Sequence, residues 1–181
     1  MLTTELDQLV SHLRRLERSV VSLLRPGLTD PRTLSLSWVE ELPETVIEWF
    51  RWCNGVEERP GQLQDDVNVI PGYNPLSIEE AGRLVPSYAG DPVLGEHFLP
   101  LLTTAGGDIY AAAWNPGEDG VRVAGVLVGE PTELEFSSIH QMVSLFNACY
   151  ESGAFFVDRD GRLALDPGKY DETYAEVVVG E

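Results

Sequence analysis

The chain has 181 residues, with 12 Lys and Arg against 30 Asp and Glu, a formal net charge of −18 and 43% hydrophobic residues. That length suits one domain able to bury its own core, and a hydrophobic fraction in the globular range puts the acidity on a surface, not in a disordered chain. Such an excess argues against nonspecific nucleic-acid binding, which runs on Lys and Arg contacts to phosphate, and against docking on anionic lipid.

The N-terminus reads Met-Leu-Thr-Thr-Glu, charged almost at once, with no apolar h-region, and no apolar run approaches the ~20 residues needed to span a bilayer. The expected location is the cytoplasm. Leu2, Leu6, Leu9, Leu13, Leu16, Val20 and Leu23 alternate spacings of four and three, which predicts one amphipathic N-terminal helix over residues 1–24, closed by Arg25-Pro26-Gly27. A stripe of this length packs within the chain more readily than in a coiled coil, and the chain's own sheet is the expected surface. Residues 1–36 carry a net charge of +1 and the remainder −19.

Thr29-Asp30-Pro31 reads as a cap and first turn, with Leu34 and Trp38 one helical turn apart. Pro43 sits where a first-turn proline belongs, and Val46, Trp49, Phe50 and Cys53 follow on one face. Asn54-Gly55 supplies a left-handed stop, so a short helix is expected from Pro43 to Asn54. A polar surface loop over 56–64 precedes a strand at Val67–Ile70. Ser77-Ile78-Glu79-Glu80 is a capping box opening a helix that Pro86 ends. Phe98–Thr103, Ile109–Trp114 and Val121–Val128 are strand-like and separated by the turn signals Gly106-Gly107-Asp108 and Asn115-Pro116-Gly117. Short turns imply hairpins, hence an antiparallel meander.

Ser138-Ile139-His140-Gln141 forms a second capping box, followed by an apolar face through Ile139, Val143, Phe146 and Tyr150 to Gly153. Phe155–Val157 and Leu163–Leu165 flank Asp158-Arg159-Asp160-Gly161 as a hairpin within a C-terminal extension, residues 154–181. The pattern predicts a single α+β domain over 1–181, a twisted antiparallel sheet packed by N-terminal and C-terminal helices.

Chemistry-bearing motifs are sparse. Cys53 and Cys149 lie far apart with no CxxC, and read as buried, reduced thiols. His12, His97 and His140 have no partner at ligand spacing, so no metal is expected. Asp158-x-Asp160-Gly161 fails the calcium-loop pattern, because Pro167 stands where the bidentate glutamate belongs. Trp38, Trp49, Trp52 and Trp114 read as core residues before an aromatic recognition patch. No catalytic residues and no cofactor are predicted. The acid pairs at Glu40-Glu41, Glu57-Glu58, Asp65-Asp66, Glu79-Glu80 and Glu118-Asp119 are solvated surface one by one, yet together they set a negative field. Glu57, Glu58, Asp65, Asp66, Glu118 and Asp119 are the residues expected to meet a basic partner.

The order of Arg25-Pro26-Gly27-Leu28-Thr29-Asp30, Leu42-Pro43-Glu44, Trp52-Cys53-Asn54-Gly55, Pro75-Leu76-Ser77-Ile78-Glu79-Glu80-Ala81, Phe98-Leu99-Pro100-Leu101, Gly107-Asp108-Ile109-Tyr110 and Ser137-Ser138 resembles the SUKH superfamily over residues 22–153. That group includes a fungal cell-wall-assembly regulator and bacterial toxin-immunity proteins. Cys53 and Ile139 depart from the pattern, standing where His or Tyr and Phe are usual. The resemblance implies an α+β fold and a non-enzymatic, protein-binding role: an immunity protein that occludes a toxin, such as a nuclease, through a basic toxin domain. The alternative it implies is a regulator or scaffold for a housekeeping partner.

Overall fold

In the computed structural model, which describes residues 1–31, 41–118 and 120–180, the leucine stripe folds as helix α1 (Leu2–Arg15), shorter than its pattern predicts. Leu34, Trp38, Glu40 and Asp119 lie outside the described residues. The helix stops because Glu17 takes a left-handed conformation (φ 53°). Arg18 N then donates to the Leu13 carbonyl and Glu17 N to that of Arg14, a Schellman closure with glutamate where glycine is usual. Val20 and Leu23 continue the apolar spacing, but from a 3₁₀ turn (Ser19–Ser22) and the approach to strand β1 (Leu24–Pro26). Leu2, Leu6, Leu9 and Leu13 are buried, each worth about 1.5–3 kcal/mol of burial. They pack α1 within the chain, against helices and not directly on the sheet: α5 (Ile139–Ser152) and α2 (Glu44–Trp52) are its main neighbours.

Helix α2 ends at Trp52, and Cys53–Val56 forms strand β2, antiparallel to β1. Asn54-Gly55 therefore does something other than cap α2. Gly55 is left-handed (φ 81°), and an added β-carbon there would lie 2.7 Å from Ser77 N. Asn54 is buried, and its Oδ1 accepts from Ile78 N at 2.9 Å, so it helps cap the start of α4 (Ile78–Leu84). The capping box there is complete: Glu80 N donates to Ser77 Oγ at 3.2 Å and Ser77 N to Glu80 Oε2 at 2.7 Å.

No strand forms at Val67–Ile70. A single helical turn, α3 (Gln64–Val67), occupies its start, and the strand comes later as β3 (Tyr73–Pro75). The main sheet is open, antiparallel and ordered β3-β4-β5-β6-β7, with β4 His97–Thr104, β5 Ile109–Trp114, β6 Arg122–Val126 and β7 Glu133–Phe136. Together with the helices it makes the chain α+β.

All six β5 residues are buried, because both faces of the sheet are covered. Tyr110, Ala112 and Trp114 face the core of α1, α2 and α5, while Ile109, Ala111 and Ala113 meet Leu94, Phe98 and the segment around Val85–Val93. The second capping box is only half formed. Ser138 Oγ accepts from Gln141 N at 3.0 Å, but Gln141 Oε1 accepts from Ser137 N at 2.8 Å, one residue earlier than the pattern places it.

The C-terminal extension is a hairpin, β8 (Phe155–Val157) and β9 (Leu163–Leu165), then a helix, α6 (Pro167–Tyr174). Asp158 Oδ1 accepts from the amides of Asp160 and Arg162, both at 2.9 Å, so this aspartate serves the turn.

Candidate functional site

Five of the six acids expected to meet a partner, Glu57, Glu58, Asp65, Asp66 and Glu118, are described, and they fall into three groups. Glu57 and Glu58 follow β2 directly. Their loop is fixed to the body by Glu57 N donating to the Leu23 carbonyl at 2.7 Å and Gln62 Nε2 to the Glu57 carbonyl at 3.0 Å. Both side chains are exposed. Glu57 faces Arg59 at 3.0 Å, and this exposed guanidinium holds its carboxyl below the usual range. Because Gly55 touches Ser77, the loop meets the first turn of α4, and Glu57, Glu58, Glu79 and Glu80 converge on one shallow depression flanked by Arg25 and Arg83. Glu80 is committed to its capping bond. Three exposed carboxylates remain there.

Asp65 and Asp66 are not free surface charges. Asp65 meets Arg18, which is buried at 9% exposure, at 2.5 Å, and its other carboxylate oxygen accepts from Leu163 N at 2.9 Å. Arg18 also donates to the Asp65 carbonyl at 3.0 Å and the Gly161 carbonyl at 2.9 Å, so one guanidinium ties the end of α1 to α3 and to the C-terminal hairpin. Asp66 turns back onto Leu63 N at 2.9 Å. Both carboxylates thus carry structural bonds within the chain.

Glu118 accepts from Asn115 Nδ2 at 2.8 Å within the β5–β6 turn. The turn follows Trp114, which pairs with His97 at the start of β4. Glu118 is thus set apart from the depression that Glu57 and Glu58 line. Asp119 lies outside the described residues.

The other reactive groups are quiet. Cys53 and Cys149 are free and buried, and burial pushes each thiol up to about 12, far from thiolate at neutral pH. His12 is buried, stacks on Tyr150 at 5.4 Å and takes a hydrogen bond from Arg15 on Nδ1 at 2.8 Å. Burial first, then Arg15, lower its pKa, against an opposing pull from Glu151. Among the described residues, no three His, Cys, Asp or Glu side chains converge as a metal ion would need, and no helix is long and apolar enough to cross a membrane. Trp49 and Trp114 are core. Trp52 is half-exposed, edge-on to Trp49 at 5.2 Å, and lines a second depression with Asp7, Glu44 and Glu48.

One constellation has no counterpart in the sequence reading. On β7, Glu135 lies against Gly125 of β6, where an added β-carbon would be 2.5 Å from its Oε1. Tyr110 pairs with Gly125 across the strands and stacks on Tyr73 at 4.9 Å. Tyr174 donates its hydroxyl to the Glu135 carbonyl at 3.3 Å and lies 6.1 Å from Tyr170. Burial, then Glu133, raises the Glu135 pKa, and burial pushes the Tyr73 phenol up to about 12. The only sequence signal was the alternation Glu133-Leu134-Glu135-Phe136, whose two acids disguise a strand.

In comparisons with known proteins, no family model and no curated protein matches the chain.

Proposed function

We propose that the chain is a non-enzymatic, protein-binding domain that takes a basic partner on its acidic face. Within that reading it is an immunity protein, which occludes a toxin domain such as a nuclease. The observation that carries the proposal is the convergence of Glu57, Glu58 and Glu79, all exposed, from two elements onto one shallow depression of a chain with net charge −18. Carboxylates so grouped focus a negative potential, steer a cationic surface inward and stand where a basic site would otherwise hold phosphates. The likeness of its motif order to SUKH immunity proteins supports the same reading.

The loop is anchored by a backbone bond to Leu23 and by the Gln62 side chain donating to the Glu57 carbonyl, so the charges are presented on a fixed base and little ordering entropy is lost on binding. Affinity capture followed by mass spectrometry names the partner, and stopped-flow association then tests the mode. Association should slow several-fold between low and physiological ionic strength, where the Debye length is about 8 Å. Glu57→Lys/Glu58→Lys should slow it at low salt with the melting temperature unchanged. Association that is flat with salt and indifferent to that double reversal would overturn the proposal, and would direct attention to the depression beside Trp52.

A further inference from the structure

We propose that Glu135, with Tyr73, Tyr110, Tyr170 and Tyr174, forms a socket for the guanidinium group of an arginine carried by a protein partner. The inference rests on the basic-partner reading above and deepens it, by naming a side chain and a second place of contact.

The geometry is specific. β7 is an edge strand, and a bulge at Val123–Ala124 lets Glu135 lie over the sheet at Gly125. A side chain at 125 would fill the space the carboxylate takes, so glycine leaves the notch that seats it. Around the notch stand Tyr110 and Tyr73, stacked as a pair, and Tyr174, whose hydroxyl is turned to the Glu135 backbone and not to its carboxylate. Tyr170 completes the wall beside Tyr174. Tyr73, Glu135, Tyr170 and Tyr174 are all partly exposed, so the group opens to solvent. Among the described residues, the Glu135 carboxylate has no hydrogen-bond donor and no cation, while Glu133 adds like charge two residues away.

A half-buried carboxylate without a protein donor loses part of its hydration at a cost to the fold, which makes it a candidate for binding a partner that restores it. What it lacks is a cation with donors. Tyrosine faces select a flat, weakly hydrated cation that can stack, and a carboxylate selects the two parallel N–H groups of a guanidinium fork. A lysine ammonium would meet the charge but not the stacked geometry.

The probe is Nα-acetyl-arginine amide, titrated into the ¹³C-labelled full chain with the side-chain carboxyl signal of Glu135 and the ring signals of the tyrosines observed by NMR. Saturable shifts in the Glu135, Tyr73 and Tyr174 signals are expected, with Nα-acetyl-lysine amide binding several-fold more weakly. Glu135→Gln should weaken the arginine probe by roughly tenfold, the loss of one charge-assisted bidentate pair, and Tyr73→Leu should weaken it in a chain that keeps the carboxylate. Glu57→Gln/Glu58→Gln should leave it unchanged. Absence of saturable shifts, or equal binding by wild type and a folded Glu135→Gln, would overturn the socket. So would shifts confined to Glu57 and Glu58, which would leave the acidic face standing as the binding surface. Failure of the broader reading has a different signature, because it is read from the salt response of partner association.

Discussion

Replacing Asp65 with alanine should be among the most damaging single changes to an acidic residue in this chain. The substitution removes the partner of a guanidinium that is 9% exposed and the acceptor of Leu163 N. Two hydrogen bonds to a charged group are lost at about 1.5–3 kcal/mol each. The Asp65 side chain keeps 26% exposure, so water repays part of that, and the expected loss is about 3 kcal/mol. In a chain of this size that corresponds to a fall in melting temperature of roughly 6–12 °C. Urea unfolding followed by far-ultraviolet circular dichroism measures it directly. Because most of the loss comes from stranding Arg18, Arg18→Met/Asp65→Leu should recover most of it, and a double-mutant cycle isolates the pair. If Asp65→Ala unfolds within about 0.5 kcal/mol of wild type, the buried pair is not what holds these segments together and the reasoning fails.

Four further outcomes are expected. Gly107 turns the β4–β5 hairpin with φ 95°, so Gly107→Val should cost roughly 1–3 kcal/mol, and an unchanged melting temperature would contradict the strained turn. Gly55→Ala should cost about 2 kcal/mol or more, since left-handed strain adds to a clash with Ser77 N; denaturant titration checks it. The folded pKa of His12 lies below its ordinary 6.5, so the unfolded chain binds the extra proton between the two values. Stability should therefore be level above about pH 6.5 and fall as the pH drops through the folded value, and the melting curve of His12→Gln should be flatter across that window. Glu135 has the opposite sign: its raised folded pKa means stability is lost as pH rises through that value, so Glu135→Gln should raise the melting temperature at neutral pH, with the gain shrinking toward pH 4.5.

Local chemistry made much of this fold legible. The Ser77–Glu80 box, the hairpin at Gly107 and the strand Ile109–Trp114 each follow from residues within a few positions of one another. The stripe through Leu23 misled because Val20 and Leu23 enter the same apolar interior after the helix has ended, and nothing in the pattern marks Glu17 as left-handed. Helix α6 was missed although its start carried a signal: Asp166 caps it, accepting from Lys169 N at 3.2 Å, and Pro167 opens it. The fate of Asp65 was not, because its partner is 47 residues away and Asp65-Asp66 resembles every other acid pair in the chain. The Glu135 group was hidden for the same reason, since its tyrosines come from β3, β5 and α6 and meet only through the sheet's register and the packing of α6 beside it.

Arg18 and Gly161 are 143 positions apart, and α1 lies along α5 for most of its length. A chain emerging from the ribosome makes its first helix early and meets α2 soon after, yet its four leucines wait for α5 until more than a hundred further residues have been added. Closing so long a loop comes late and makes folding slow, because the entropy of closure is lost before the contacts return it. Until then the leucine face of α1 is an adhesive surface on a nascent chain. The meander from β4 to β7 is built from neighbours in sequence and can assemble meanwhile, so the acidic loop and the tyrosine group would gain their final geometry at different times during synthesis, the latter waiting for α6.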